Sequence, residues 1–459
     1  MTAREIVADR GPAGWTRNPF PLMADLGGRR VLVVGGGPTA EGKIRLLIDA
    51  AAHIETVSPT LTPELERLAR QGSIVWHRRR FRRSDVDGAF LVVAATDDPV
   101  INRAVFEAAD DASTLCNAVD DTDNCSAILP SVHREGPLVV TVSTSGAAPA
   151  LAVRLRERIA EMSDGYGSVL DLLAGFRQQI KASFDTFPDR REVWYRIVDS
   201  PAIESARTGD QERAAAAIAH LIDEFSRPDR DRPESAVARA DRRIGRTLEW
   251  AQQPVVTVSG QLGGLVLLDR IRRHRPDIDV VFVDTGYHPD ESVAFIHQVA
   301  QDWTLDLTVV RPDTDVASHE TEHGTLYLTD PARCCEIRKV GPADAGLAGH
   351  DVWFTAIRRD QAATRSGETV LTDHVLRDGT RLWKVNPLVD WTWDDVEAYA
   401  DANAVPRHPL YAHGYTSIGC APCTSPTFAD GDDRTGRWNG SDRLECGLHI
   451  ESSRPGVRP

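Results

Sequence analysis

No apolar stretch in the 459-residue sequence approaches the roughly 20 residues that a membrane-spanning helix requires. The start of the chain, MTAREIVADRGPAGWTRNPFPLM, also lacks the apolar core of a secretory signal peptide. Positive charge is in deficit, since the formal net charge is −15, and nucleic-acid binding needs a basic surface. The sequence therefore predicts a soluble, cytoplasmic protein that binds neither membranes nor nucleic acid.

Cysteine is scarce, and the seven cysteines present are an odd number. In a reducing compartment, this argues against a disulfide framework. Five of the seven lie in the last 130 residues, at positions 334, 335, 420, 423 and 446. This asymmetry indicates metal or thiol chemistry in the C-terminal part of the chain.

The chain is long enough for about three domains. In residues 18–150, apolar runs such as RRVLVVGGG and PLVVTVSTSG alternate with helical patterns, which predicts a parallel, doubly wound α/β sheet. Residues 151–225 have helical patterns alone and form either a dimerisation region or a plain helical spacer. The charged, proline-containing residues 226–243 are typical of a linker. Strand and helix patterns resume in residues 244–459, which predicts a second α/β domain.

A glycine-rich turn follows the first predicted strand, in VLVVGGGPTAEGK. Gly35, Gly37 and Ala40 have the G-x-G-x-x-G/A spacing of a dinucleotide site, in which the helix N-terminus stabilises a pyrophosphate. A glycine-rich turn without a ligand is the alternative. The second strand has Ser58 where a ribose-binding acid often lies, with Glu55 in mid-strand, so the choice between NAD and NADP stays open.

Three further segments, AATDDPVINRAVFEAA, CNAVDD and ILPSVHREGPLVVTVSTSGAAPALAVRLRERI, follow the glycine turn. In this order they resemble the precorrin-2 dehydrogenase and sirohydrochlorin ferrochelatase domain of siroheme synthases, over about residues 23–225. The resemblance implies a Rossmann-like NAD-binding domain, with Thr96 and Asp97 also at the cofactor, and a homodimer formed through the helical region. It also implies that NAD accepts hydride from precorrin-2 and that Asp120 serves both this oxidation and the insertion of Fe2+, the chelatase substrate.

Two alternatives accompany this resemblance. Taken alone, Asp120 is as well explained as a helix cap or a turn residue. The N-terminal half is alternatively a non-catalytic NAD-binding or dimerisation module.

Four cysteines form a second pattern, with Cys334 and Cys335 in ARCCEIRKV and Cys420 and Cys423 in GYTSIGCAPCT. A C-x-x-C pair fits zinc, a redox dithiol or an iron–sulfur cluster. Neighbouring cysteine side chains diverge, which is awkward for one tetrahedral zinc and suits a [4Fe–4S] cluster, where each thiolate binds a different iron. Cys446 is then left over, either for other chemistry or as an apolar filler in a last strand.

The ordered segments VVFVDTGYHPDES, CCEIRK, GYTSIGCAPCT, DRTGRW and ECGLH closely resemble assimilatory adenylyl-sulfate (APS) reductases, over about residues 250–450. This implies an adenine-nucleotide alpha-hydrolase-like (PP-loop) fold and the cluster-containing branch, which prefers APS; the cluster-free branch reduces PAPS. PAPS reduction and a zinc-bound nucleotide sulfurtransferase are the alternatives. In the loop SGQLGGLVLLD, Gly263 and Gly264 replace the Asp and Ser of the wider loop family, which suits an enzyme that does not cleave ATP.

The mechanism implied by this resemblance is a two-step thiol transfer. The Cys446 thiolate attacks the sulfur of APS and expels AMP, and a thiol of thioredoxin then releases sulfite from the Cys446 sulfonate. The family match assigns substrate contacts to Ser259, Lys339, Arg358, Arg359, Arg434, Arg437 and His449. The sequence as a whole therefore predicts a fusion of two enzymes that serve one pathway, since siroheme is the prosthetic group of the sulfite reductase that consumes sulfite.

Overall fold

The structure is a computed structural model, and it describes residues 20–145, 147–226, 234–427 and 436–437. The chain divides into two compact units, Met1–Gly167 and Ser168–Pro459. None of the helices in these described ranges is long and apolar enough to span a bilayer.

The first unit contains a five-stranded parallel sheet in the order β3-β2-β1-β4-β5. The apolar run at β1 forms the sheet centre, because each of its residues Val31 to Val34 is at most 2% exposed and a doubly covered strand needs apolar side chains on both faces. This confirms the predicted Rossmann-like α/β fold. The strands are β1 Arg30–Val34, β2 His53–Val57, β3 Val75–His77, β4 Leu91–Ala94 and β5 Leu115–Ala118.

Helices cover both faces of this sheet. Val31 and Val33 of β1 pack in one buried cluster, whereas Leu32 and Val34 pack in another, as the two-residue period of a strand requires. The first cluster takes its helical residues from α1 and α2, and the second takes them from α3. The helices are α1 Pro38–Asp49, α2 Pro63–Arg70 and α3 Pro99–Asp111.

The run PLVVTVSTSG does form a strand, but the prediction that it extends the parallel sheet is wrong. It supplies β7 Leu138–Val142, which pairs antiparallel with β6 Ser131–Glu135 in a separate two-stranded sheet. Only residues 136 and 137 separate the two strands, and a parallel pairing would need a much longer crossover. The helix α4 Pro149–Met162 then completes the first compact unit.

The second unit begins with the predicted helical region. Its residues Val193, Ile197 and Ile218 belong to the same buried cluster as Val256 and Leu265 of the following α/β domain. The region therefore shares one core with that domain. Its helices are α5 Tyr166–Ser183, α6 Phe187–Val198, α7 Ala202–Arg207, α8 Gln211–Ser226 and α9 Ala236–Leu248.

Part of the predicted linker 226–243 is helical, because α9 begins at Ala236 with a side-chain cap from Ser235. Within the described part of the segment, one charged residue, Arg243, forms buried ion pairs. Arg243 is 0% exposed. Its guanidinium pairs with Glu224 of α8 and Asp390, and donates to the Pro387 carbonyl at 2.9 Å.

The second sheet has six strands in the order β10-β9-β8-β11-β13-β12, and only β12 is antiparallel to its neighbour. The strands β8, β9 and β10 lie in the apolar runs PVVTVSG, DVVFVDTGYH and LDLTVVRP. The strands are β8 Pro254–Val258, β9 Asp279–Val283, β10 Leu307–Val310, β11 Val352–Phe354, β12 Leu371–Val375 and β13 Arg381–Val385. The helices are α10 Leu262–His274, α11 Asp290–Asp302, α12 Val316–His323, α13 Leu326–Thr329, α14 Pro331–Cys335, α15 Gly341–Leu347 and α16 Trp393–Ala402.

Replacing Asp390 by alanine tests the buried ion pairs between the helical region and the sheet domain. Asp390 pairs with Arg239 at 2.6 Å and with Arg243. Burial alone would raise its pKa, but attraction to these two guanidinium groups lowers it below the usual value. Asp390→Ala would leave Arg243 buried without this partner, so we expect a loss of about 3 kcal/mol in the free energy of unfolding, measured by urea denaturation. The control is Asp401→Ala, whose exposed carboxylate pairs with Arg407 and should matter by less than about 1 kcal/mol; equal losses would contradict the prediction.

Candidate active sites

A cavity of about 160 Å³ in the second unit lies where β8 and β11 end. The chain turns to opposite sides of the sheet after these two neighbouring strands, and such a switch point is where open α/β sheets bind ligands. Ser259 and Gln261 line the cavity just before α10 begins. The positive end of the helix dipole favours an anion at this position.

Arg358 enters the same cavity from the segment after β11, although its side chain is only 1% exposed. Its Nε donates to Asp360 at 2.9 Å, and its Cζ lies 5.4 Å from the centre of the Trp393 ring. A Cβ added to Gly263 would lie 3.2 Å from Nη1 of Arg358. Glycine in the first turn of α10 thus gives the guanidinium room to lie against the backbone.

Arg437 reaches the cavity from the other side. Its Nη1 donates to the Ile418 carbonyl at 3.2 Å, and its backbone forms an antiparallel bridge with Thr424. A Cβ added to Gly419 would overlap the guanidinium. Both arginines therefore pack on a glycine and form part of the cavity wall.

The adjacent cysteines Cys334 and Cys335 end α14 and precede a π-helical turn, Glu336–Val340. Such turns contain one extra residue and often occur at functional sites. Arg338 in this turn is 2% exposed. Its Nε donates to the Thr285 carbonyl at 2.7 Å and its Nη1 to the Thr314 carbonyl at 3.0 Å, which fixes the helix against the loops after β9 and β10.

The C-x-x-C pair lies on a short turn that packs against the loop after β9. The Cys423 amide donates to the Cys420 carbonyl at 3.0 Å, and the Ala421 amide donates to the Tyr287 carbonyl at 2.7 Å. The Cys420 sulfur lies 3.2 Å from the Thr285 hydroxyl. All four cysteines line one small cavity.

The four thiols influence one another electrostatically. Burial, and then the nearby Cys335, Cys420 and Cys423, raise the pKa of Cys334 to about 12. None of the four forms a disulfide. Four thiolates at this spacing repel each other unless a cation compensates them, so the donor set suits a metal group.

The four cysteines could hold either of two metal groups. Zinc binds its thiolates at about 2.3 Å from one ion, whereas an iron–sulfur cubane takes one thiolate per iron. The four-thiol cavity supplies the four sulfur ligands that either group needs.

The glycine turn of the first unit connects β1 to α1. Gly35 has φ +132°, and a Cβ there would overlap the Ala95 carbonyl at the end of β4. Gly37, the N-cap of α1, has no atom within 4 Å of an added Cβ, and Ala40 is buried in the helix. Gly35 is thus required by the fold, whereas the open space at Gly37 is available for a ligand.

Two other predicted residues follow strands at the same edge of the sheet, since the strands are parallel. Thr96 follows β4, and its hydroxyl donates to Asn102 Oδ1 at 2.8 Å, next to Asp97. Asp120 follows β5 with φ +59°, a left-handed conformation that is uncommon outside glycine and occurs often at functional sites. The structure places Asp120 in a turn directly after β5, as the turn-residue alternative expects, and Asp tolerates this left-handed conformation better than most residues.

Glu55 is engaged elsewhere. It accepts from Arg30 at 2.8 Å and lies 3.0 Å from His77, and the Arg30 hydrogen bond is the main reason that its pKa falls to about 2. Ser58 donates to the Thr60 carbonyl at 2.7 Å. Glu55 is therefore a structural residue of β2 and is not placed to bind a ribose.

Comparisons with known proteins assign the two candidate sites to different families. The phosphoadenosine phosphosulfate reductase domain family matches residues 253–426. Adenosine 5'-phosphosulfate reductase 1 of Bacillus subtilis (strain 168) is 39% identical over 209 residues, which cover 44% of this chain and 88% of that protein. The chain belongs to the adenosine 5'-phosphosulfate reductase family.

Another member of this reductase family, from Mycolicibacterium smegmatis, is 36% identical over 215 residues, 46% of this chain and 90% of that protein. An NAD(P)-binding family matches residues 22–131, the sirohaem biosynthesis protein central family matches residues 135–162 and the sirohaem synthase dimerisation region matches residues 165–222. The solved structure of SirC, precorrin-2 dehydrogenase, is similar at 27% identity and a TM-score of 0.38, over 44% of this chain and 99% of that one.

The structure brings together four of the predicted substrate-binding residues of the reductase domain: Ser259, Lys339, Arg358 and Arg437 line one cavity. Arg359 does not line it and instead donates from Nε to the Glu368 carbonyl at 2.8 Å. Neighbouring side chains of an extended segment point to opposite sides, so only one of the two arginines faces the cavity. Arg434, Cys446 and His449 lie outside the described residues.

Sequence reasoning missed several cavity residues of the reductase domain. Gln261 lies within the quoted loop SGQLGGLVLLD but is not among the predicted contacts, whereas Gln361, Arg365 and Trp393 lie far from it in sequence and outside the quoted motifs. Lys339 and three cysteines line both cavities, which therefore adjoin. The missed residues are Gln261, Gln361, Arg365 and Trp393.

The glycine pair of the reductase loop provides a matched test of Arg358. Gly263→Ala would push a Cβ against the Arg358 guanidinium, whereas nothing lies within 4 Å of a Cβ added to Gly264. We expect Gly263→Ala to weaken binding of adenosine 5'-phosphosulfate about tenfold, or about 1.4 kcal/mol, by calorimetric titration. Gly264→Ala should change affinity by less than about twofold and stabilise the helix by about 0.5 kcal/mol. Equal affinities for the two variants would show that Arg358 tolerates displacement.

Proposed function

We propose that this chain is a bifunctional enzyme of sulfur assimilation, which reduces APS to sulfite and AMP and oxidises precorrin-2 to sirohydrochlorin with NAD. The observation that carries the first activity is the pair of adjoining cavities in the second unit. One is lined by four thiols, and the other by Lys339, Arg358 and Arg437 beside a helix N-terminus. Family membership supports APS as the nucleotide.

Four cations at one cavity, Lys339, Arg358, Arg365 and Arg437, suit a substrate that carries a phosphate joined to a sulfate. Guanidinium groups donate in pairs to such oxygens, and a buried guanidinium is held for this geometry before the ligand arrives. Stacking against Trp393 and the hydrogen bond to Asp360 fix the orientation of Arg358. In the proposed reaction these cations neutralise the charge on the phosphate as AMP becomes the leaving group.

The transfer itself uses Cys446. Its thiolate attacks the sulfur of APS, the sulfur–oxygen bond to the phosphate breaks, and AMP leaves with that electron pair. A thiol of thioredoxin then attacks the Cys446 sulfur, sulfite departs with the electron pair of the broken sulfur–sulfur bond, and a disulfide between Cys446 and thioredoxin forms. The second thioredoxin thiol attacks this disulfide, which oxidises thioredoxin and releases the Cys446 thiolate. Arg434 and His449, near Cys446 in sequence, are proposed as further contacts to the substrate.

The proposed cofactor of this half is a [4Fe–4S] cluster held by Cys334, Cys335, Cys420 and Cys423. When bound, the cluster supplies positive charge that compensates the four thiolates and fixes the wall shared by the two cavities. The residues of this chain then hold Lys339 at that wall, four positions after Cys335.

The proposed second activity uses the sheet edge of the first unit. NAD binds at Gly35, Gly37, Ala40, Thr96 and Asp97, and the open space beside Gly37 supports this assignment. Asp120 accepts the proton that precorrin-2 loses as hydride passes to NAD. We extend the proposal to insertion of Fe2+ into sirohydrochlorin by the same carboxylate, and to a homodimer formed through the helical region. None of the six described cysteines forms a disulfide, which fits the cytoplasmic location that we propose.

Mass spectrometry of the protein incubated with APS tests the thiol transfer directly. Anaerobically purified protein without reductant should gain one sulfonate on the peptide that contains Cys446, and thioredoxin should remove it. The Cys446→Ser variant should gain none, while Cys125→Ser, which changes a cysteine of the first unit, should react as the wild type does. An adduct that forms with PAPS but not with APS would identify PAPS as the substrate and keep the mechanism. The absence of an adduct with either nucleotide would refute the mechanism.

Iron and acid-labile sulfide analysis tests the proposed ligands of the cluster. We expect about four iron and about four sulfide per chain, and a loss of both in Cys420→Ser. Cys116→Ala should retain them, because Cys116 is buried in the first unit. One zinc per chain without sulfide would favour the sulfurtransferase alternative.

Asp120→Asn tests the precorrin-2 activity. The amide keeps the shape of the side chain but cannot accept the proton, so we expect turnover of precorrin-2 with NAD to fall at least about a hundredfold. NAD binding should be retained, and the exposed neighbour Asp123→Asn should be as active as the wild type. If the wild type itself does not oxidise precorrin-2, the first unit is a binding or dimerisation module.

A further inference from the structure

A groove of about 890 Å³ lies between α5 and α6 of the helical region. One face of α5 lines the groove, with Ala174, Arg177, Gln178 and Lys181 at the three- and four-residue spacing of a helix face. One face of α6, with the same spacing, lines the opposite side. The volume is within the usual range for small-molecule sites. The stripe on α6 consists of Phe187, Arg190, Arg191, Trp194, Tyr195 and Val198.

Four cations border the groove, and no carboxylate forms an ion pair with any of them in the described ranges. Arg177, Lys181 and Arg191 are exposed. Arg190 donates to the carbonyls of Phe184 and Asp185, each at 2.8 Å. These acceptors are neutral, so the positive charge of Arg190 is not compensated by a carboxylate either. The acidic residues of α6 lie on another stripe, where Glu192, for example, pairs with Arg196 at 2.9 Å.

The floor of the groove is aromatic and exposed. Phe187 is 70% exposed and Tyr195 is 54% exposed. The Arg191 guanidinium lies 5.6 Å from the centre of the Tyr195 ring. Flat apolar surface ringed by cations is complementary to a flat ligand with several anionic groups at its edge.

We propose that this groove binds a tetrapyrrole polycarboxylate, with the macrocycle on the aromatic floor and its carboxylates on Arg177, Lys181, Arg190 and Arg191. The inference rests on the proposed precorrin-2 oxidation, which supplies a ligand of this chemistry. A second copy of the same face is a poorer occupant. An isologous contact about a twofold axis brings identical surfaces together, and here it would oppose the cations of one copy to those of the other.

Fluorescence titration with sirohydrochlorin, on the full-length protein, tests the groove. The double variant Lys181→Gln/Arg191→Gln should bind at least about tenfold more weakly than the wild type. Added KCl should weaken wild-type binding more than variant binding, because exposed charges are screened. Arg207→Gln, on α7 outside the groove, is the matched control and should bind as the wild type does.

Several outcomes would overturn the proposal. Wild-type affinity in the double variant, in protein that still oxidises precorrin-2, would refute the groove and leave the proposed function standing. A wild-type protein that neither oxidises precorrin-2 nor binds sirohydrochlorin would refute both the groove and the proposed precorrin-2 activity. A double variant that binds normally but changes its sedimentation from dimer to monomer would assign the face to a second copy. Displacement of sirohydrochlorin by micromolar APS would assign the groove to a nucleotide.

Discussion

The reductase half depends on guanidinium groups that are buried against backbone. Arg338 donates to two carbonyls and fixes the helix that presents the cysteine pair. Arg358 and Arg437 lie against Gly263 and Gly419, which have no side chain to exclude them. A buried charge is tolerated only where such partners satisfy it. The loops around the two cavities are therefore positioned by cations whose donors are already directed, before any anion enters.

Much of this fold could be predicted from the sequence, because strands buried on both faces have continuous apolar sequences. The runs at β1 and β8 are of this kind, and the glycine turn after β1 was placed correctly. The antiparallel pairing of β6 with β7 was not predicted, because an apolar run does not show which strand it pairs with. The two-residue connection between the two strands decides this pairing. The linker was misjudged from 236 onwards, because charge composition cannot distinguish solvated residues from a buried one such as Arg243.

The candidate sites show the same limit. Residues within one motif, such as Cys420 and Cys423, were found because their spacing is local. Trp393 and Arg365 were not found, because they reach the cavity only through the packing of α16 and a distant loop. Arg359 was grouped with Arg358 because a sequence match does not state which of two neighbours faces inward. The common core of the helical region and the sheet domain was missed for a related reason: helical periodicity gives an apolar face but not the surface that covers it.

The π-helical turn after Cys335 has a consequence for the evolution of the chain length in this segment. An α-helix rotates by about 100° per residue, and the extra residue in the turn sets the angle between the cysteine pair before it and α15 after it. Substitutions on the outer face of Glu336–Val340 leave that angle unchanged. Loss or gain of a single residue would rotate Cys334 and Cys335 away from Cys420 and Cys423 while Arg338 still held the loops. Apart from Arg338 and Lys339, the segment can therefore vary in composition across a lineage, but insertions and deletions should be confined to the loops on either side.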